Sequence, residues 1–141
     1  MYVQRSLKRI ATAVQVAAFL CGLSFLGGCG AGSLGQSTVT VTEANNNTTV
    51  TVPLGGLLVV QLPSNPSTGY QWEVTAIDNT TLTQDGQVQY VPSQPITVGS
   101  GGTSVFTFAA LSTGNTAIQL QYIPPGGGVA SQTFSLTVGI R

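Results

Sequence analysis

Leu57-Leu58-Val59-Val60-Gln61-Leu62-Pro63-Ser64-Asn65-Pro66-Ser67-Thr68-Gly69-Tyr70-Gln71-Trp72 is the stretch whose reading decides the fold. Leu57 to Leu62 is apolar at both phases of a two-residue period, the mark of a central strand. After the polar break, Tyr70, Trp72 and Val74 share one face, with Gln71, Glu73 and Thr75 on the other. That phase sends Trp72 into a core; a surface binding role for its indole is the alternative. Between the two strands, Pro66 fixes its own φ and pushes Asn65 toward extended geometry, while Gly69 admits a positive φ. The loop Asn65 to Tyr70 is therefore stiff before it meets anything. Most Pro/Gly loops are only turns, so stiffness alone assigns no role.

The same alternation extends outward in both directions. Val39 and Val41 alternate with Thr38, Thr40 and Thr42, and Val50 and Val52 with Thr49 and Thr51, around an Asn-rich turn from Glu43 to Asn47. Toward the C-terminus, Asp78 to Asp85 reads as a polar connection, Val88 and Tyr90 as a short strand, and Pro92 to Gly102 as a longer loop. Phe106, Phe108 and Ala110, then Ile118, Leu120 and Tyr122, then Phe134, Leu136, Val138 and Ile140 each take one face of a strand. The turns between these last three runs are Ser112 to Asn115 and Pro124 to Ala130. Threonine on the outward positions supplies β-propensity without charge. No helical period follows the N-terminal segment. Seven to eight short strands with turn signals between them predict an all-β chain, an antiparallel β-sandwich.

The N-terminal segment is different. Arg5, Lys8 and Arg9 precede an apolar run from Ile10 to Phe25, followed by Leu26-Gly27-Gly28-Cys29. This reads as a lipoprotein signal peptide over residues 1–28, cleaved before Cys29, whose thiol then carries a lipid. An uncleaved membrane helix is the competing reading, since Ile10 to Gly28 is nearly long enough to span a bilayer. Residues 29–36 form the lipidated cysteine and a flexible Gly/Ser-containing tether, and residues 37–141 the folded domain. The expected place is the cell envelope, lipid-anchored. Gly30 after the cysteine is not an aspartate retention signal, so an outer membrane is expected where the cell has one.

Composition excludes much. Of 141 residues, removal of 28 leaves 113, enough for one core. That part carries Arg141 against Glu43, Glu73, Asp78 and Asp85, a net charge of −3, and lacks the basic footprint of a nucleic-acid partner. The two cysteines are Cys21 and Cys29, so the domain has no disulfide to draw on. There is no histidine, which removes Ser-His-Asp and Cys-His catalysis and the commonest metal ligand. The four carboxylates are scattered, so neither an acid–base pair nor a calcium loop is indicated. Gly99-Ser100-Gly101-Gly102 lacks the lysine and helix of a phosphate loop and reads alone as a flexible turn. No catalytic residue, metal, cofactor or small-molecule substrate is expected, and the domain is expected to act as a monomer.

Taken together, these segments resemble the chagasin-type inhibitors of papain-like cysteine peptidases. That family carries Asn-Pro-Thr-Thr-Gly-Tyr/Phe in a central loop, Gly-x-Gly-Gly before an aromatic-rich strand, and Arg-Pro-Trp after a strand ending in Tyr. Here Asn65-Pro66-Ser67-Thr68-Gly69-Tyr70 is similar to the first, with Ser67 for threonine. Gly99, Ser100, Gly101 and Gly102 match the second and lead into Val105-Phe106-Thr107-Phe108. Tyr122-Ile123-Pro124-Pro125-Gly126 aligns with the third, keeping Pro125 but placing Pro124 at the arginine and Gly126 at the tryptophan.

The resemblance implies an immunoglobulin-like sandwich presenting three loops at one end. The central loop would enter the peptidase cleft uncut, with Ser67 and Thr68 nearest the catalytic pair and Asn65 holding the loop's shape. The loops at Gly99 to Gly102 and Pro124 to Gly126 would grip the cleft walls. Tryptophan and arginine are frequent interface hot spots, so their absence from the third loop implies weaker binding or a different target. The glycine run from Gly126 to Gly128 implies a more mobile third loop. The rival reading is an envelope lipoprotein of the same fold that binds another protein or surface component and inhibits no peptidase.

Overall fold

Among the described residues nine strands, built on the alternation read above, make two facing sheets. The computed structural model describes residues 35–141; the signal segment, Cys29 and the tether up to residue 34 lie outside the described residues. The strands are β1 (Thr38–Thr42), β2 (Thr48–Val52), β3 (Leu57–Ser64), β4 (Gln71–Ala76), β5 (Leu82–Gln84), β6 (Gln89–Pro92), β7 (Gly102–Ala110), β8 (Gly114–Ile123) and β9 (Gln132–Ile140). One sheet runs β1-β3-β7-β5, with β6 also on β7; the other runs β2-β9-β8-β4. Among the described residues no helix is long and apolar enough to cross a membrane.

The inward positions of the alternation meet between the sheets. Leu58, Val60 and Leu62 of β3, with Phe106 and Phe108 of β7, face Ile118 and Leu120 of β8 and Phe134, Leu136 and Val138 of β9, all but inaccessible to water. Each such side chain contributes roughly 1.5–3 kcal/mol by leaving water. Leu57 and Val59, on the other face of β3, are half-buried, as suits a strand between β1 and β7. Trp72 is buried, and its indole N–H donates to the Pro63 carbonyl at 2.8 Å. The core assignment of Trp72 holds, and its polar edge is satisfied within the core's rim.

The all-β sandwich stands as expected, with differences of detail. The sandwich is not wholly antiparallel, because β1 pairs with β3 and β2 with β9 in parallel register. Alternation reports which face a side chain takes, not the direction of the neighbouring strand. The Asn-rich segment is a corner that carries the chain from one sheet to the other. Asn46 fastens it: its Nδ2 donates to the Thr133 carbonyl at 3.0 Å, and its Oδ1 accepts the Ser135 N–H at 2.9 Å. Asn47 adopts φ 59° there, a conformation asparagine tolerates better than most residues.

Among the described residues the strands number nine, against the seven to eight expected. β5 and β6 share one edge of β7, pairing with Phe108–Ala110 and Gly102–Val105 respectively. β5 has only three residues and one buried anchor, Leu82, too short for a period to show. Gln36, the last residue of the expected tether, donates from Nε2 to the Gly55 carbonyl at 2.9 Å.

Candidate functional site

The register brings three loops to one end of the sandwich. Ser64, which ends β3, pairs with Gly102, which opens β7, and Tyr122 near the end of β8 pairs with Gln132, which opens β9. Gln71, the first residue of β4, lies opposite Ile123. The central loop, the loop ending at Gly102 and the loop from Pro124 therefore emerge side by side. That juxtaposition follows from sheet pairing alone.

The central loop is a single 3-10 turn, Pro66–Thr68, with Pro66 at its first position and Gly69 closing it at φ 79°. Its backbone is tied by Thr68 N–H to the Asn65 carbonyl at 3.1 Å and Gly69 N–H to the Pro66 carbonyl at 2.9 Å. The Thr68 hydroxyl donates to the same Asn65 carbonyl at 2.6 Å, and the Ser67 hydroxyl to Asn65 Oδ1 at 2.6 Å. Both hydroxyl protons are thus donated back into the loop. Pro66, Ser67, Thr68 and Gly69 are exposed, while Asn65 and Tyr70 are half-buried.

Asn65 is the node of the whole end. Besides accepting from Ser67 and Thr68, its Nδ2 donates to the Gly99 carbonyl of the second loop at 3.3 Å. Its own N–H donates to the Tyr122 hydroxyl at 2.9 Å. Tyr122 is buried between Tyr70 and Trp72, with ring centroids 5.3 and 5.1 Å away. A phenol anchored in the core therefore fixes the first residue of the loop. The periodicity of β8 identified Tyr122 only as a core residue. The signal for its second role was a tyrosine, rather than phenylalanine, at the last buried position before a loop.

The second loop is held more firmly than a flexible turn. Ser100 N–H and Oγ both donate to the Thr97 carbonyl, at 3.0 and 2.7 Å. Gly99 has φ 80°, a conformation that favours glycine. Gly102 belongs to β7 and is crowded: a Cβ there would lie 2.6 Å from Tyr90 Oη and nearer still to the Val91 carbonyl. The glycine at this position lets β6 and its tyrosine lie on the strand.

The third loop turns at Pro124, whose carbonyl accepts Gly127 N–H at 3.1 Å, with Gly126, Gly127 and Gly128 all at positive φ. Pro125 packs on the central loop, since a Cβ on Gly69 would meet its Cβ and Cγ at 3.1 Å. Ser131 N–H and Oγ donate to the Tyr122 carbonyl at 2.9 and 3.3 Å, tying the return of this loop to β8. Both flanking loops thus touch the central one, through Gly99 on one side and Pro125 on the other. The arrangement offers a preformed projecting tip with a supporting loop on each side. No cluster of acidic, histidine or cysteine side chains that would hold a metal occurs among the described residues.

Comparison with known proteins agrees with this architecture. The family described as "Chagasin family peptidase inhibitor I42" matches residues 51–138. Chagasin of Trypanosoma cruzi is 32% identical over 104 residues, covering 72% of this chain and 94% of its own. Amoebiasin-1 of Entamoeba histolytica is 35% identical over 106 residues, covering 73% of this chain and 100% of its own. Among solved structures, a cysteine protease inhibitor from Entamoeba histolytica superposes with a TM-score of 0.64 at 25% identity, covering 76% of this chain and 98% of the other. With fold and sequence in agreement over most of its length, the chain belongs to the chagasin family of peptidase inhibitors, a family of inhibitors rather than enzymes.

Proposed function

We propose that this protein is a reversible, non-covalent inhibitor of papain-like cysteine peptidases that occludes the active-site cleft with its three loops. The observation that carries the reading is the tip itself: Ser67 and Thr68 stand exposed on a turn that Asn65 locks to both the core and the second loop. A relative of the same fold is a cysteine protease inhibitor. A loop ordered before docking loses little entropy on binding. A proline- and glycine-shaped 3-10 turn also departs from the extended geometry of a cleavable strand, which suits a loop that enters a cleft uncut.

In this reading Ser67 and Thr68 lie nearest the catalytic pair, and Gly99 to Gly102 and Pro124 to Gly126 bear on the cleft walls. The inhibitor is tethered by a lipid on Cys29 at the cell envelope and acts as a monomer. The test is titration of active papain with residues 30–141, which hold both sheets and the described core, following residual peptidase activity. Submicromolar inhibition is expected. Replacement of Ser67 and Thr68 together by glutamate should abolish it while leaving the fold intact, because both side chains are exposed. Inhibition that survives the double substitution rules out the central-loop mechanism.

A further inference from the structure

The three most exposed large apolar side chains among the described residues are Val98 at 108%, Val129 at 92% and Ile96 at 68% relative accessibility. Single exposed aliphatics are ordinary on any protein surface. These three are not scattered: Ile96 and Val98 precede Gly99 on the second loop, and Val129 ends the glycine run of the third. The central tip stands between them, joined to one side by Asn65–Gly99 and to the other by Gly69–Pro125. All three are β-branched, so holding them at an interface sacrifices little rotamer freedom. No charged residue occurs in residues 64–70, 93–101 or 124–131.

Resting on the inhibitor reading above, we infer that Ile96 and Val98 on one side and Val129 on the other are the apolar anchors of this inhibitor. They seat on the two walls of the peptidase cleft while the hydroxyl-bearing tip occupies its centre. The target is then a cysteine peptidase whose cleft walls are apolar and uncharged where the flanking loops land. Binding is carried by desolvation rather than by charge, so it is only weakly sensitive to salt.

The experiment compares residues 30–141 with three variants, I96S/V98S, V129S and the triple substitution, by inhibition constant against papain. Thermal unfolding of each confirms that a surface change has left the fold unaltered. Loss of a buried valine contact corresponds to roughly tenfold or more in affinity. V129S should raise the inhibition constant about tenfold, I96S/V98S about a hundredfold, and the triple variant about a thousandfold. Raising salt from about 0.05 to about 0.5 M should leave the unsubstituted protein's constant within about threefold. Undiminished inhibition by the triple variant overturns the anchors while leaving the inhibitor reading standing. Loss of phosphatidylcholine vesicle binding in the triple variant, with inhibition unchanged, assigns the patch to the membrane and also overturns it. Absence of inhibition by the unsubstituted protein removes both readings together.

Discussion

Replacing Tyr122 by phenylalanine removes one oxygen from the base of the central loop and little else. The ring keeps its place between Tyr70 and Trp72, so packing is conserved. What is lost is the acceptor for the Asn65 N–H, now 2.9 Å away in a half-buried position. A donor left without its partner costs about 1–3 kcal/mol, with the lower end expected where water reaches the site. For a domain of this size about 1 kcal/mol lowers the unfolding temperature by roughly 4–8 °C. The inhibitory effect has the same origin: Asn65 organises Ser67, Thr68 and the contact to Gly99, so loosening it makes docking dearer in entropy. At about 1.4 kcal/mol per tenfold, a loss of about 1 kcal/mol corresponds to a rise of roughly fivefold in the inhibition constant. Differential scanning calorimetry and papain titration on the same preparation read both numbers. A variant that melts and inhibits like the parent would show that the phenol does not set the loop.

Trp72→Ala should cost roughly 3–5 kcal/mol through the cavity it opens, and it also strips the Pro63 carbonyl of its donor; an unchanged denaturant midpoint would remove Trp72 from the core. Gly69→Ala places a Cβ 3.1 Å from Pro125 at φ 79° and should destabilise by about 1–2 kcal/mol while separating the central and third loops, read by unfolding and by inhibition. Asp78 accepts hydrogen bonds from the Thr80 hydroxyl, the Thr80 N–H and the Thr81 hydroxyl, which hold its pKa below the usual 3.8. Its contribution to stability is therefore present above the unfolded value and lost as pH falls through the depressed folded one. The parent should thus lose more stability than Asp78→Asn when acidified below about pH 4, and identical acid-unfolding profiles for the two would refute that role.

Most of the core was legible because a strand's side chains alternate: Phe106 and Phe108, Ile118 and Leu120, and Phe134 to Ile140 needed only a period of two. The stiffness of Asn65 to Tyr70 was equally legible, since proline and glycine restrict or free φ wherever they stand. Strand partners and direction were not, because pairing joins residues far apart in sequence. Nothing local told that Thr38 lies beside Leu57 in parallel, or that Asn46 reaches Thr133 and Ser135 of β9.

The candidate site divides in the same way. By itself the sequence determined the loop's residues, their intrinsic geometry and the resemblance that pointed to a family of inhibitors. Only the tertiary structure decided that Asn65 is tied to Tyr122 and Gly99, and that Gly69 faces Pro125. It also decided that the aliphatics of the two flanking loops stand in water on either side of the tip. The physical reason is that backbone preference is a property of a residue and its neighbours, whereas a hydrogen bond across 57 positions exists only once the sheets have closed.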